Sequence, residues 1–259
     1  NGEKELRRGR KLRPGDKISF KEEEYVIKWR CLLYISRIYL KNFRNYREQT
    51  VDLNENVNII YGKNAQGKTN LIESVFLCST GRSHRTIKDN ELVKSGENSF
   101  SIRIEGFKDN IPFDISIYYE HNGKKIIKVN SLKIRKLGEL MGVLNTVIFS
   151  PDDLQIIKRG PGERRRFLDI LICQTSSSYF YNLQKYQKTI KQKNALLRKF
   201  DKAAGGTELL HVFNQKQAEL GSVIINERIA FIDEIQQKIK ENHSKLTKNS
   251  ENIDIGYIT

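Results

Sequence analysis

Apolar and polar positions alternate with period two in several short bursts along this chain, and each burst predicts a half-buried strand. Residues 35–43 and 48–53 form one pair around a turn at 44–47, and residues 99–105, 112–120 and 125–129 follow with the turn signals Lys108-Asp109-Asn110 and His121-Asn122-Gly123 between them. Short strands joined by tight turns make an antiparallel sheet, with the charged side chains of its strands facing solvent. Residues 17–20 and 24–27 predict two further strands after the turn Arg13-Pro14-Gly15-Asp16.

Other stretches follow different periods. The continuous β-branched runs at 57–61 and 143–149 predict buried strands, and residues 68–78, with Leu71, Ile72, Val75 and Phe76, predict a helix packed on a sheet. A short helix is expected over 137–142. From 176 to 248 the spacing is helical: Tyr179, Leu183, Tyr186, Ile190, Leu197 and Phe200 trace one stripe, and Leu209, Val212, Phe213, Leu220, Ile224, Ile229, Ile232, Ile235 and Ile239 trace another. The Gly205-Gly206 break between them predicts an antiparallel helical hairpin.

Composition narrows the partners. With 259 residues there is enough chain for one large domain or two modest ones, and a net charge of +15 favours polyanionic partners, nucleic acid first. A Lys-rich surface reflecting an AT-rich genome would give the same charge. Cys31, Cys78 and Cys173 are odd in number and lack any C-x-x-C spacing, which argues against a disulfide framework and a zinc site and for a cytoplasmic setting. No apolar run reaches membrane-spanning length and no signal peptide is evident, so no membrane role is expected.

The chemistry concentrates at 62–69, where the sequence GKNAQGKT fits G-x-x-x-x-G-K-[ST] between a predicted strand and a predicted helix. Gly62 and Gly67 free the backbone around Lys63, Asn64, Ala65 and Gln66 to aim successive N–H groups at an anion, and the helix start beyond them favours phosphate. Lys68 is then expected on the β- and γ-phosphates of ATP, Thr69 on Mg²⁺, and Asn70 beside them. The fold class expected is α/β, a P-loop NTPase lobe with an antiparallel β subdomain and a helical hairpin arm, an arrangement that resembles ABC/SMC-type heads.

The opening "IYLKNFRNYREQTVDLNENVNIIYGKNAQGKTNLIES" resembles the RecF family of recombination and repair ATPases, and more distantly SMC and Rad50 heads. A second run, Phe149-Ser150-Pro151-Asp152-Asp153-Leu154 with Gly160-Pro161-Gly162-Glu163-Arg164-Arg165-Arg166-Phe167-Leu168-Asp169, resembles the same family. The resemblance implies that Arg44 and Asn45 lie near the nucleotide and that Asp152 senses Mg²⁺ or water. It also implies that Arg82 or Arg85 meets DNA or nucleotide, and that a basic arm face including Lys185 and Lys188 meets DNA. Plainer roles stay open: a solvated turn for Arg44, a helix cap for Asp152, a solvated surface for the others. Residues 1–28 resemble the tail of an S4-type RNA-binding domain, so RNA is a further possible partner.

The expected organisation is an S4-like segment over 1–28, a connector over 29–34, an ATPase lobe over 35–175, and the arm with the start of a C-terminal half over 176–259. No Walker B strand or signature sequence follows Thr69, so the chain is expected to stop within the fold, leaving apolar surface exposed and ATP hydrolysis beyond its reach. What the resemblance implies for the intact protein is an ATP-dependent homodimer that clamps DNA at gaps and single-strand to double-strand junctions. It would work with other recombination mediators in recombinational repair and the SOS response. Two alternatives are an SMC or Rad50-type structural ATPase, which calls for a much longer arm, and an RNA-binding module joined to an ATPase fragment.

Overall fold

The computed structural model describes residues 17–20, 23–26, 32–150, 155–158, 160–198 and 206–258. Strands β1 (Lys17–Phe20) and β2 (Glu23–Val26) pair antiparallel, Lys17 opposite Val26. The larger sheet contains β3 (Leu33–Phe43), β4 (Tyr46–Asp52), β5 (Ser99–Lys108), β6 (Ile111–Glu120), β7 (Lys125–Val129) and β8 (Leu132–Lys133). Its spatial order is β4-β3-β5-β6-β7-β8, and every neighbouring pair is antiparallel.

Period-two patterning determines which face of this sheet is dry. Ile38, Leu40 and Phe43 of β3 point the same way as Phe100, Ile102 and Ile104 of β5 and Ile115 and Ile117 of β6, and all are buried. Arg37, Lys41 and Arg103 fall between them and face outward. The hairpin tips Asp109-Asn110 and Asn130-Ser131 take positive φ at both positions, the geometry that matches strand twist in two-residue turns. β3 begins at Leu33, inside the stretch read as a connector, because β5 is long enough for Lys108 and Phe107 to pair with Leu33 and Tyr34.

Helix α1 (Lys68–Thr80) covers the dry face through Leu71, Leu77 and Cys78. Of the expected stripe, Leu71, Val75 and Phe76 pack inward, but Ile72 is exposed, while Glu73 and Ser74 are buried. A second layer contains α2 (Gln155–Lys158), α3 (Pro161–Thr175), α4 (Ser177–Arg198) and α5 (Gly206–Thr247). α4 and α5 run antiparallel, with Ser176 against Glu227 at one end and Lys193 against Gln217 at the other. Ile172, Cys173, Tyr179, Phe180 and Ile224 form the core of this layer. Only part of the arm's stripes is covered, and Leu209 and Val212 remain exposed. Phe200 and Gly205 of the predicted arm lie outside the described residues.

Two predicted strands do not form ladders among the described residues. Residues 57–61 carry no strand pairing, and Val57 is 79% and Tyr61 89% exposed; in 143–149 Leu144 is buried but Phe149 is 83% exposed. A β-branched run reads as a buried strand because it suits a sheet covered on both faces, yet it becomes one only when neighbouring strands accept its backbone bonds. Side-chain amides partly replace those neighbours. Asn58 accepts from the Asn54 N–H (2.7 Å) and donates to the Asn54 carbonyl (2.9 Å). The buried Gln174 of α3 does the same to Thr146, accepting at 2.7 Å and donating at 3.0 Å, and the Thr146 hydroxyl shares a hydrogen bond with Ser79 of α1.

Candidate nucleotide site

The loop 62–67 leads into α1 with positive φ at Gly62 (+146°), Ala65 (+64°) and Gly67 (+104°). Alternation of this kind turns successive N–H groups toward one concavity, and no side chain caps the start of α1, so its first amides remain available to an anion. The Lys68 ammonium folds back over the loop and donates to the carbonyls of Gly62 and Lys63, each at 2.7 Å. This places a cation in the same concavity. Thr69 is exposed one residue further on, and Asn70 is half-buried.

Gly67 has a specific steric reason. A Cβ there would lie 2.8 Å from Asn45 Oδ1 and 2.8 Å from the Tyr46 ring, so the tip of the β3–β4 hairpin rests directly against the loop. Gly67→Ala is expected to destabilise the fold by about 1–3 kcal/mol, through positive φ and this contact together. Thermal unfolding checks it; an unchanged midpoint would show that the hairpin tip can simply move away.

The expected site residues come together around a carboxylate that sequence reasoning passed over. Glu73 on α1 is 0% exposed, and it accepts from Arg44 Nε (2.9 Å) and NH2 (2.7 Å), from the Ser83 hydroxyl (2.5 Å) and from Arg85 NH1 (3.3 Å). Arg85 NH1 also donates to Asn70 Oδ1 at 2.9 Å, and Asn70 donates to Asn45 Oδ1 at 2.8 Å. Arg44 adopts φ +53°, its third nitrogen donates to the Glu91 carbonyl (2.9 Å), and its own N–H donates to the Leu92 carbonyl (2.7 Å). Each of the three guanidinium nitrogens of Arg44 thus has a partner inside the protein. Its side chain is 19% exposed whereas that of Arg85 is 45% exposed.

Burial alone would push the Glu73 carboxyl up, but hydrogen bonds from Arg44 and Ser83 and the charges of Arg44 and Arg85 outweigh it and hold it below its ordinary value of 4.5. A carboxyl lowered by folding stabilises the native state above its unfolded value, and that stabilisation is lost as pH falls through the folded value. The unfolding free energy is expected to drop as the pH is taken below about 4.5. Glu73→Gln should flatten this dependence in urea titrations, and identical slopes in both proteins would remove Glu73 as its source.

The remaining candidates are dispersed. Arg82 is exposed at the start of the loop after α1, although the loop is not wholly solvated as its composition suggests: Gly81 and Ser83 are buried. Lys185 and Lys188 lie on the exposed side of α4 in the helical layer. Asp152 lies outside the described residues. Among the described residues no group of three or more His, Cys, Asp or Glu side chains is arranged to hold a metal ion, and no helix is long and apolar enough to cross a membrane.

A β-sheet lobe, an anion-ready loop entering a helix and a packed helical layer define a P-loop ATPase domain, and residues 37–254 match the AAA domain family model. The chain belongs to that family, and it is similar to RecF proteins. It is 49% identical over 225 residues to the DNA replication and repair protein RecF of Acetivibrio thermocellus, covering 87% of this chain and 61% of that one. For the RecF of Clostridium acetobutylicum the identity is 42% over 227 residues, covering 88% and 62%. The solved structure of the recombination mediator protein RecF with ATP in the RecFOR pathway superposes with a TM-score of 0.79 at 40% identity, covering 83% of this chain and 58% of that one. Residues 1–28 match the S4 domain model. The chain thus spans about 60% of the length of the curated relatives it matches.

Proposed function

We propose that this chain is the nucleotide-holding part of a RecF-type DNA replication and repair ATPase, in which bound ATP switches the grip on DNA. The observation that carries the reading is the phosphate-ready loop with Lys68 already lying across it. The loop amides and Lys68 would hold the triphosphate, and Thr69 would supply a hydroxyl to Mg²⁺, with Asp152 as a second candidate ligand. A Mg²⁺ held by these residues would supply positive charge against the phosphates. Asn45 and Asn70 would position the start of α1 against the ligand.

DNA is the partner that the net charge of +15 favours, bound at gaps and single-strand to double-strand junctions and held mainly through phosphates. Arg82, Lys185 and Lys188 are the proposed contacts, and Arg85 is proposed to meet DNA or nucleotide. An ATP-dependent homodimer, contact with other recombination mediators, a part in the SOS response and a cytoplasmic location complete the proposal. The RecF solved with ATP, named for the RecFOR pathway, supports it by likeness. The proposed division is an S4-like segment over 1–28, an ATPase lobe from 35 and an arm from 176. The unpaired apolar runs at 57–61 and 143–149 would gain their neighbours from segments equivalent to the rest of the relatives' length.

Anisotropy of a labelled gapped duplex, titrated with the chain with and without Mg-ATP at several salt concentrations, tests the switch. Expected is tighter binding with ATP and a linear fall of log affinity with log salt. Affinity indifferent to ATP would reject a nucleotide-gated grip.

A further inference from the structure

We infer that Glu73 is a positioning residue: with Arg44 bound on one side, it holds Arg85 beside the phosphate loop so that one guanidinium edge faces the incoming triphosphate. The inference rests on the reading of the loop as an ATP site. It assigns work to two residues, Glu73 and Arg44, that do not themselves touch the ligand.

The geometry divides the labour. Glu73 carries one negative charge and faces two guanidiniums. Arg44 takes the larger share, through two of its nitrogens at 2.9 and 2.7 Å, and its other nitrogen is spent on the Glu91 carbonyl. Arg85 receives only a longer contact of 3.3 Å to the same carboxylate and is steered sideways by Asn70 at 2.9 Å. One carboxylate between two cations leaves a net positive charge, and it resides on the more exposed guanidinium.

The connection to the loop is short. Arg85 binds Asn70, Asn70 binds Asn45, and Asn45 Oδ1 lies 2.8 Å from the place a Cβ on Gly67 would take. Arg44 sits at φ +53°, a conformation that a non-glycine residue adopts at a cost of about 1 kcal/mol or more and keeps only when its surroundings fix it. A carboxylate that merely filled space in the core would not need a strained arginine on one side and a half-exposed one on the other. Ser83, bound to the same carboxylate at 2.5 Å, fixes the loop that carries Arg85.

This arrangement makes the two arginines interdependent. If Arg44 is removed, Glu73 is free to take Arg85 in a two-pronged pair and draw it away from the loop. Arg44→Ala is therefore expected to weaken Mg-ATP binding about tenfold, the size of one charge-assisted hydrogen bond lost. The same change should have no effect in an Arg85→Ala background, nor in Glu73→Gln, where the pull is absent. A merely structural role for Arg44 would cost the same in all three backgrounds, and that result overturns the inference.

Should Glu73→Gln fail to fold, the comparison of Arg44→Ala with and without Arg85→Ala decides alone. An independent readout needs no ATP. The Nε–H of Arg44 is expected to exchange slowly with solvent in nitrogen-15 spectra of the full chain and to lose that protection in Glu73→Gln, while fast exchange in the unaltered chain overturns the pairing itself. If the unaltered chain binds no Mg-ATP, the ATP reading fails and the positioning role falls with it, whereas the pairing is still judged by the Nε–H signal.

Discussion

Replacing Lys68 with alanine is expected to reduce Mg-ATP affinity by about a hundredfold or more. Lys68 lies across the phosphate loop, donating to two backbone carbonyls at 2.7 Å. In each bond only the donor is charged, and exchanging them for bonds to triphosphate oxygens pairs the ammonium with an opposite charge, in contacts of about 1.5–3 kcal/mol each. Two such contacts exceed the 2.7 kcal/mol or so that corresponds to a hundredfold change. The effect on folding should be small because the side chain serves only the loop, and alanine suits a helix start at least as well. Equilibrium binding of a fluorescent ATP analogue, with circular dichroism on the same samples, measures both. Unchanged affinity in the folded variant would mean that any nucleotide bound elsewhere.

The second large effect is expected in the helical layer. Asp169 of α3 accepts from Arg228 Nε (2.9 Å) and NH2 (3.0 Å) and from the Tyr179 hydroxyl, while Arg228 also donates to Tyr257 at 2.8 Å. Three helices thus converge on one carboxylate, and the segment after α5 joins them through Arg228. Tyr179 is fully buried, and burial together with Asp169 pushes its hydroxyl far up. The neighbouring Cys173 thiol is pushed up to about 12 by burial and by Asp169, so it acts as packing rather than as a nucleophile.

Asp169→Ala leaves a mostly buried cation without its counter-charge, a loss of about 3–5 kcal/mol. Arg228→Met with Asp169→Leu removes both charges and should cost clearly less than Asp169→Ala alone. Urea midpoints for these variants give the comparison. A double variant as unstable as the single would show that the pair contributes binding energy beyond cancelling its own burial.

What the sequence made legible divides by distance along the chain. The phosphate loop is a local motif: its glycines, lysine and threonine are adjacent, so the backbone pattern at Gly62, Ala65 and Gly67 follows from a few neighbouring residues. The sheet was legible for a similar reason, since period two reports which face is dry and the turn residues report where strands reverse. β8, only two residues long, was too short to show a period.

Glu73 was not legible, because a lone glutamate on an amphipathic helix reads as solvated and its partner Arg44 lies 29 residues away. Arg228 was hidden in the same way, 59 residues from Asp169. A weak signal existed in each case: a charged residue interrupting the buried side of an otherwise apolar stripe. The runs at 57–61 and 143–149 show the opposite limit. Their composition describes strands suited to a covered sheet, but strand pairing belongs to two segments, and composition reports only one of them.

The central claim is that the loop 62–69 holds Mg-ATP in the fold described. It is tested most directly by calorimetric titration of Mg-ATP into the full chain, repeated with a chelator in place of Mg²⁺. One site per chain is expected, weakened when the metal is withdrawn. A folded chain that gives no binding heat at several temperatures, and no shift in its unfolding midpoint with saturating Mg-ATP, would contradict it.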